Sequence, residues 1–123
     1  MNENLFYLAI NIYHEARSEP FEGQVAVGHV VMNRAERRHI SCKGVVLQPM
    51  QFSWHNGGRF PEIKEYNALL TSFTAAEKVL EERMDGNTFG GADHYFADYI
   101  KAPYWSKGMD FVCKIGVHKF YRS

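Results

Sequence analysis

The apolar positions change their period twice along the chain. Leu5, Ala9, Ile12 and Ala16 recur at three- and four-residue steps, one face of a helix, and predict a helix over 5–17. Asn2 or Asn4 stands ahead of it as an N-cap. Residues 18–20 end it, because the residue before a proline is driven out of the helical region. Pro20 suits the first position of a second helix, with Glu22 in the first turn where negative charge is favoured. Over 25–32 nearly every side chain is apolar, the mark of a helix buried on all sides. Polarity returns at Asn33, and the run 34–39 (RAERRH) reads as the exposed, cationic end of that helix.

Residues 41–60 carry no sustained period, and 45–48 suits a short helix or a strand before Pro49. Gln51-Phe52-Ser53-Trp54, followed by His55-Asn56-Gly57-Gly58, reads as a loop that displays an aromatic, with ligand contact and core packing equally open. Residues 62–84 return to helical character. Thr74-Ala75-Ala76-Glu77 fits a capping box and predicts two helices with a break near 70–73. Asp85-Gly86-Asn87 is a stop signal. Beyond it, 94–97, 111–115 and 117–121 are short, aromatic or β-branched and bounded by glycine, which predicts a small antiparallel sheet. Helices first and strands last make an α+β domain, and 123 residues make one domain over 1–123.

Composition narrows the partners. Fourteen basic and fourteen acidic residues cancel, which argues against nucleic acid as a partner and gives no long-range attraction to an anionic membrane. No stretch reaches the length of a membrane span. No charged segment followed by an apolar run opens the sequence, so the expectation is synthesis in the cytoplasm without a signal peptide. Cys42 and Cys113 are too few for a disulfide scaffold and are expected as free thiols. The aromatic share, 15%, is high enough to supply both a core and ring-stacking ligand contacts.

Metal and nucleophile chemistry find little support. His14-Glu15 opens like the HExxH zinc pattern, but Ser18 stands where the second histidine belongs. His94 and His118 are near enough in the tail to meet, yet two histidines without a third ligand are more often structural or substrate-binding. There is no G-x-S-x-G elbow, and Cys113 with His118 lies on a strand that hides such a thiol. Neither metal nor cofactor is expected.

Carboxylates remain. Glu15 lies three residues from Ile12 and next to Ala16, at the edge of the first helix's apolar stripe. Partial desolvation there raises a carboxyl's pKa and keeps it protonated near neutrality, as a proton donor to a glycosidic oxygen requires. On spacing alone such an acid is more often structural than catalytic. Glu19 and Glu22 read as capping or ion-pairing groups for the second helix, near Arg17 or Arg34.

A resemblance adds to this. Glu15-Ala16-Arg17-Ser18-Glu19-Pro20, Glu22-Gly23-Gln24-Val25-Ala26-Val27 and Asn33-Arg34 resemble, in order, the signature of the cell-wall hydrolase family that includes the spore-cortex-lytic enzymes of bacilli and some phage lysins. Ser18 replaces that signature's glycine. Gln51-Phe52-Ser53, His94-Tyr95-Phe96, Trp105 and Ile115-Gly116-Val117-His118-Lys119-Phe120 resemble its later blocks. The resemblance implies a lysozyme-like, lytic-transglycosylase-like fold. It implies peptidoglycan as substrate, cut between N-acetylmuramic acid and N-acetylglucosamine, and Glu15 as the catalytic acid. Gln51, Ser53, Trp54, Tyr95, Trp105 and His118 are the candidates for a groove that holds the sugar. A monomer that reaches the wall after release, as a phage lysin does, fits this picture. A true hydrolysing muramidase and a non-catalytic wall-binding module stay open as alternatives.

Overall fold

A buried helix, α2 (Phe21–Arg38), runs through the middle of the computed structural model, which describes residues 2–48 and 61–123. Every residue from Gly23 to Val31 is buried, so this helix has no solvent stripe over its first half. Against one side pack α1 (Glu3–Ala16), α3 (Cys42–Val46) and α4 (Tyr66–Met84), through Leu8, Ile12, Val31, Val45 and Val79. Against the other side packs the sheet, where Ala26, Val27 and Val30 meet Phe120, Ala92 and Ala16. Burying Phe120 or Leu8 completely contributes about 1.5–3 kcal/mol each.

Gly28 explains how closely the helices approach. A Cβ there would stand 2.6 Å from Val79 Cγ2 and 3.1 Å from Ile12 Cδ1. The bare backbone lets α2 lie against α4 and α1 at one point.

Asn2 caps α1, its side chain accepting from the Leu5 amide at 2.7 Å, and Ser41 caps α3 in the same way from Gly44 at 3.0 Å. Pro20 is the residue before α2 rather than its first turn; its ψ of 153° is extended. The short helix near 45–48 starts earlier, at Cys42. The expected break near 70–73 does not occur. One helix runs from Tyr66 to Met84, because the Thr74 hydroxyl turns back and donates to the Leu70 carbonyl at 3.1 Å instead of capping a new start.

The sheet has β1 (His94–Ala97), β2 (Asp110–Ile115) and β3 (His118–Arg122), antiparallel in the order β1-β3-β2. Short 3-10 turns stand at Phe89–Gly91 and Tyr104–Gly108. His94 pairs with Tyr121 and Ala97 with His118, and a bulge interrupts β2 between Phe111 and Cys113. Alternation puts Tyr95, Ala97, His118 and Phe120 on the face toward the helices, and His94, Phe96, Lys119 and Tyr121 on the outer face. His94 and His118 therefore lie on opposite faces and do not meet. Cys42 and Cys113 are both free and sit in separate clusters. Burial pushes the Cys42 thiol up to about 12, so it packs as an inert apolar group. The α+β architecture, a helical lobe plus a small antiparallel sheet, is the one the sequence predicted.

Candidate active site

Glu15 sits in the last turn of α1, beside the buried Ile12 and Ala16. Burial raises its carboxyl above the ordinary range; a hydrogen bond from the Tyr95 hydroxyl and the positive charge of Arg34 pull it partly back down. The negative end of the α1 dipole also disfavours a carboxylate at this position. The result is a carboxyl that holds its proton more firmly than an ordinary glutamate, with two groups placed to steady its ionised form.

Each of those groups is fixed by another element. Tyr95 projects from β1 on the inner face, its ring 5.1 Å from that of His118 and 5.7 Å from that of Phe120. Burial and the neighbouring Glu15 push its hydroxyl well above the usual tyrosine range, so it stays a donor. Arg34 departs from expectation. It is not part of an exposed cationic end but half-buried, turned inward, with Nε donating to the Asp93 carbonyl at 2.7 Å. Asp93, just ahead of β1, is itself buried and accepts from the Ser123 amide at 2.9 Å.

The turn after α1 is locked onto the β2–β3 hairpin. Glu19 does not pair with Arg17 or Arg34; its Oε1 accepts from the Val117 amide at 3.1 Å and lies 3.3 Å from His118 Nδ1. Gly116, at the hairpin tip with φ of 58°, would bring a Cβ to 2.6 Å from that same oxygen. Gln24 Nε2 donates to the Glu19 carbonyl at 3.2 Å. His118 is half-buried, and burial holds its imidazole below the ordinary value, against the opposing pull of Glu19 and Asp98. It touches Tyr95 and the Glu19 turn, and so orients the site from behind.

Tyr13 supplies the other wall. Its hydroxyl accepts from the amides of Lys64 and Glu65 at 3.3 and 3.1 Å, which draws the entry to α4 over the end of α1. Arg17 stacks over the Tyr13 ring at 4.8 Å and pairs with Glu65. An open depression of about 300 Å³ results, lined by His14, Glu15, Arg17, Ser18 and Glu65. Burial, and after it the charge of Arg17, keeps His14 below its ordinary value.

The structure thus brings Glu15, Tyr95 and His118 together with Arg34, and adds Tyr13 and Glu65, which sequence reasoning did not assign to the site. Trp105 is not among them. It lies on the outer face, with ring centroids 5.0 Å from His94, 5.7 Å from Phe96 and 5.8 Å from Tyr121. Gln51, Ser53 and Trp54 lie outside the described residues. Among the described residues no three His, Cys, Asp or Glu side chains are grouped as metal ligands, and no helix is long and apolar enough to cross a membrane.

The family model for the cell wall hydrolases matches residues 18–121. The chain belongs to the cell wall hydrolase family. The match begins three residues beyond Glu15, in the turn that Glu19 locks. This cell wall hydrolase is 31% identical over 121 residues to a spore cortex-lytic enzyme of Bacillus subtilis (strain 168), covering 97% of this chain and 37% of that protein. It is 30% identical over 115 residues to the spore cortex-lytic enzyme of Halalkalibacterium halodurans, covering 92% of this chain and 33% of the relative. The chain therefore spans about a third of the length of these curated relatives. Solved structures are similar over nearly the whole fold. The catalytic domain of the Bacillus cereus SleB protein aligns with a TM-score of 0.72 at 29% identity, over 98% of this chain and 91% of that one. The catalytic domain of the germination-specific lytic transglycosylase SleB from Bacillus anthracis aligns at 0.73 and 28% identity, over 99% and 97%. The cell wall hydrolase shares its helical lobe and sheet with these catalytic domains.

Proposed function

We propose that this chain cleaves the glycan strands of peptidoglycan between N-acetylmuramic acid and N-acetylglucosamine, as a monomer, by a lytic-transglycosylase-type reaction on Glu15. The observation that carries the reading is the environment of that one carboxyl: desolvated, bonded by the Tyr95 hydroxyl, faced by Arg34, and open to a depression. Protonated Glu15 gives its proton to the glycosidic oxygen as the C1–O bond breaks. The muramic C6 hydroxyl then closes on C1 and returns its proton to the Glu15 carboxylate, leaving a 1,6-anhydro end and the acid restored. Tyr95 and Arg34 steady the carboxylate between the two transfers. The relatives' names, spore cortex-lytic enzyme and lytic transglycosylase, support the same chemistry.

One observation favours a second reading, hydrolysis. Among the described residues Glu65 is the other carboxylate that lines the depression, and a base that activates water would stand about 6.5–9.5 Å from the acid. Glu65 is held by Arg17, a partner that competes with such a role. Two measurements separate these readings. Glu15→Gln, assayed by turbidity of cell-wall suspensions, is expected to bind walls without clearing them; equal clearing by wild type and variant removes Glu15 from its role. Binding without clearing by wild type itself leaves the non-catalytic module. Mass spectrometry of the released muropeptides is expected to find anhydro-muramic ends, with Glu65→Gln still active. Reducing muramic ends, lost in Glu65→Gln, establish hydrolysis instead.

A further inference from the structure

The outer face of the sheet carries surface that the site at Glu15 does not use. Phe111 stands 56% exposed with its ring 5.5 Å from Tyr121, and Tyr121 stacks on Phe96 at 5.5 Å and an interplanar angle of 14°. Trp105 closes edge-on over both, and Tyr104 beside it is 89% exposed. Phe111, Tyr121 and Trp105 form a strip of exposed and half-buried rings over the buried Phe96, and the exposed Tyr104 stands beside it in the chain.

Cations border the strip. Lys119 lies over the Phe96 ring at 5.9 Å, and Lys114 is its direct partner across β2 and β3. Like charges in register on one face destabilise a sheet pair. Asp98 faces both, pairing with Lys114 at 2.8 Å and feeling the charge of Lys119 as well, so two cations share one acid beside the rings. At the other end Arg122 and Asp110 pair at 3.1 Å. A partly exposed ring strip beside two lysines that share one acid matches a polymer of sugar rings that also carries carboxylates. Aromatic faces stack on pyranose rings, and the lysines meet the lactyl or stem-peptide carboxylates.

We infer that the outer sheet face, centred on Phe111, Tyr121, Trp105 and Lys119, is a second, non-catalytic surface that holds a carboxylate-bearing peptidoglycan strand while another stretch of wall occupies the Glu15 depression. The inference rests on peptidoglycan being the substrate. Two-point attachment of this kind raises the residence of a small catalytic domain on an insoluble polymer, by effective concentration rather than by a tighter active site. It also accounts for Trp105 as a glycan contact on the far side of the sheet from Tyr95.

The test uses Phe111→Ala and Lys119→Gln, singly and together. In a Glu15→Gln background, co-sedimentation with purified sacculi stripped of other wall polymers is expected to weaken about five- to tenfold for the pair. In the wild-type background, clearing of sacculi is expected to fall several-fold more than turnover of soluble short glycan fragments. Thermal melts confirm that the variants fold. Unchanged co-sedimentation overturns the inference. So does a loss confined to sacculi that still bear anionic wall polymers, or a dimer in sedimentation velocity that the variants dissolve. Parallel loss on soluble fragments overturns it too, because the face then belongs to the catalytic groove. Failure of the underlying reading registers separately, as wild type that does not clear sacculi or that clears them no faster than Glu15→Gln.

Discussion

Removing the Tyr95 hydroxyl isolates the tuning of the acid. In Tyr95→Phe the ring stays packed against His118 and Phe120, and Glu15 loses the hydroxyl that bonds it. That bond favours the ionised carboxylate, so its loss raises the Glu15 pKa further above the ordinary range. A hydrogen bond to a charged group contributes about 1.5–3 kcal/mol, and about 1.4 kcal/mol corresponds to one pKa unit. The ceiling is therefore about two units. Glu15 opens on a solvent-filled depression, where water replaces part of the lost bond, and Arg34 still faces it. About one unit is the expectation. A general acid works only while protonated, so the alkaline limb of kcat/KM against pH moves up by that amount. The rate at the plateau falls, because the carboxylate formed in the reaction is less well steadied. The assay is release of soluble muropeptides from sacculi between pH 5 and 9 at constant ionic strength, with melting curves to confirm the fold. A limb that stays in place, or moves down, would falsify the assignment of Tyr95 as the donor to a catalytic acid.

Glu15→Gln should lower turnover about 100- to 10,000-fold, the usual worth of a positioned acid, while wall binding persists; a loss below tenfold in muropeptide release contradicts the assignment. Gly116→Ala forces a side chain into a left-handed conformation against Glu19 Oε1, and should cost about 1–3 kcal/mol in urea unfolding. Gly28→Ala drives a methyl into Val79 and should cost about 1–3 kcal/mol, part of it recovered in the double variant with Val79→Ala; no recovery means that the contact is not the cause. Burial holds His14, His29 and His118 below 6.5, so on acidification the unfolded chain takes up protons there before the folded one does. Glu15, raised, opposes this by at most one proton. The melting temperature should fall as pH drops below about 6.5, and a flat or rising profile between 7 and 5 counts against this role of the three histidines.

Periodicity made the main elements legible, since α1, the continuous burial of α2 and the three strands follow from spacing alone. The single helix over 66–84 was hidden by a local ambiguity. Thr74-Ala75-Ala76-Glu77 carries the letters of a cap, and only the packing of Ala75, Ala76 and Val79 decides that the helix continues. The raised carboxyl of Glu15 was legible, because Ile12 and Ala16 flank it on its own helix; its role as an acid came from the resemblance. Arg34 and Glu19 were not. Arg34 reaches a carbonyl 59 residues away, and Glu19 an amide 98 residues away, so their partners exist only after the sheet has docked. Trp105 belongs to a 3-10 turn outside the strand alternation, and no period assigns it to a face.

The two glutamates of the α1–α2 turn show how one short stretch separates chemistry from structure. Glu15 and Glu19 are four residues apart, one turn if α1 continued, and their carboxylates would then stand side by side and repel. The helix stops at Ala16, and Pro20 sends the chain the other way. Glu19 is thereby carried to the hairpin, where an amide and an imidazole meet its charge. Among the described residues Glu15 is left with the Tyr95 hydroxyl and an arginine that also donates to a carbonyl. An acid needs this asymmetry. A second carboxylate adjacent to Glu15 would raise its pKa by repulsion but stand where the proposed reaction needs the sugar; burial raises it and leaves the depression open. The hairpin that Glu19 locks continues into β3, whose His118 and Phe120 hold the Tyr95 ring. In the proposed reaction, the carboxylate that takes no part thus positions the hydroxyl that tunes the one that does.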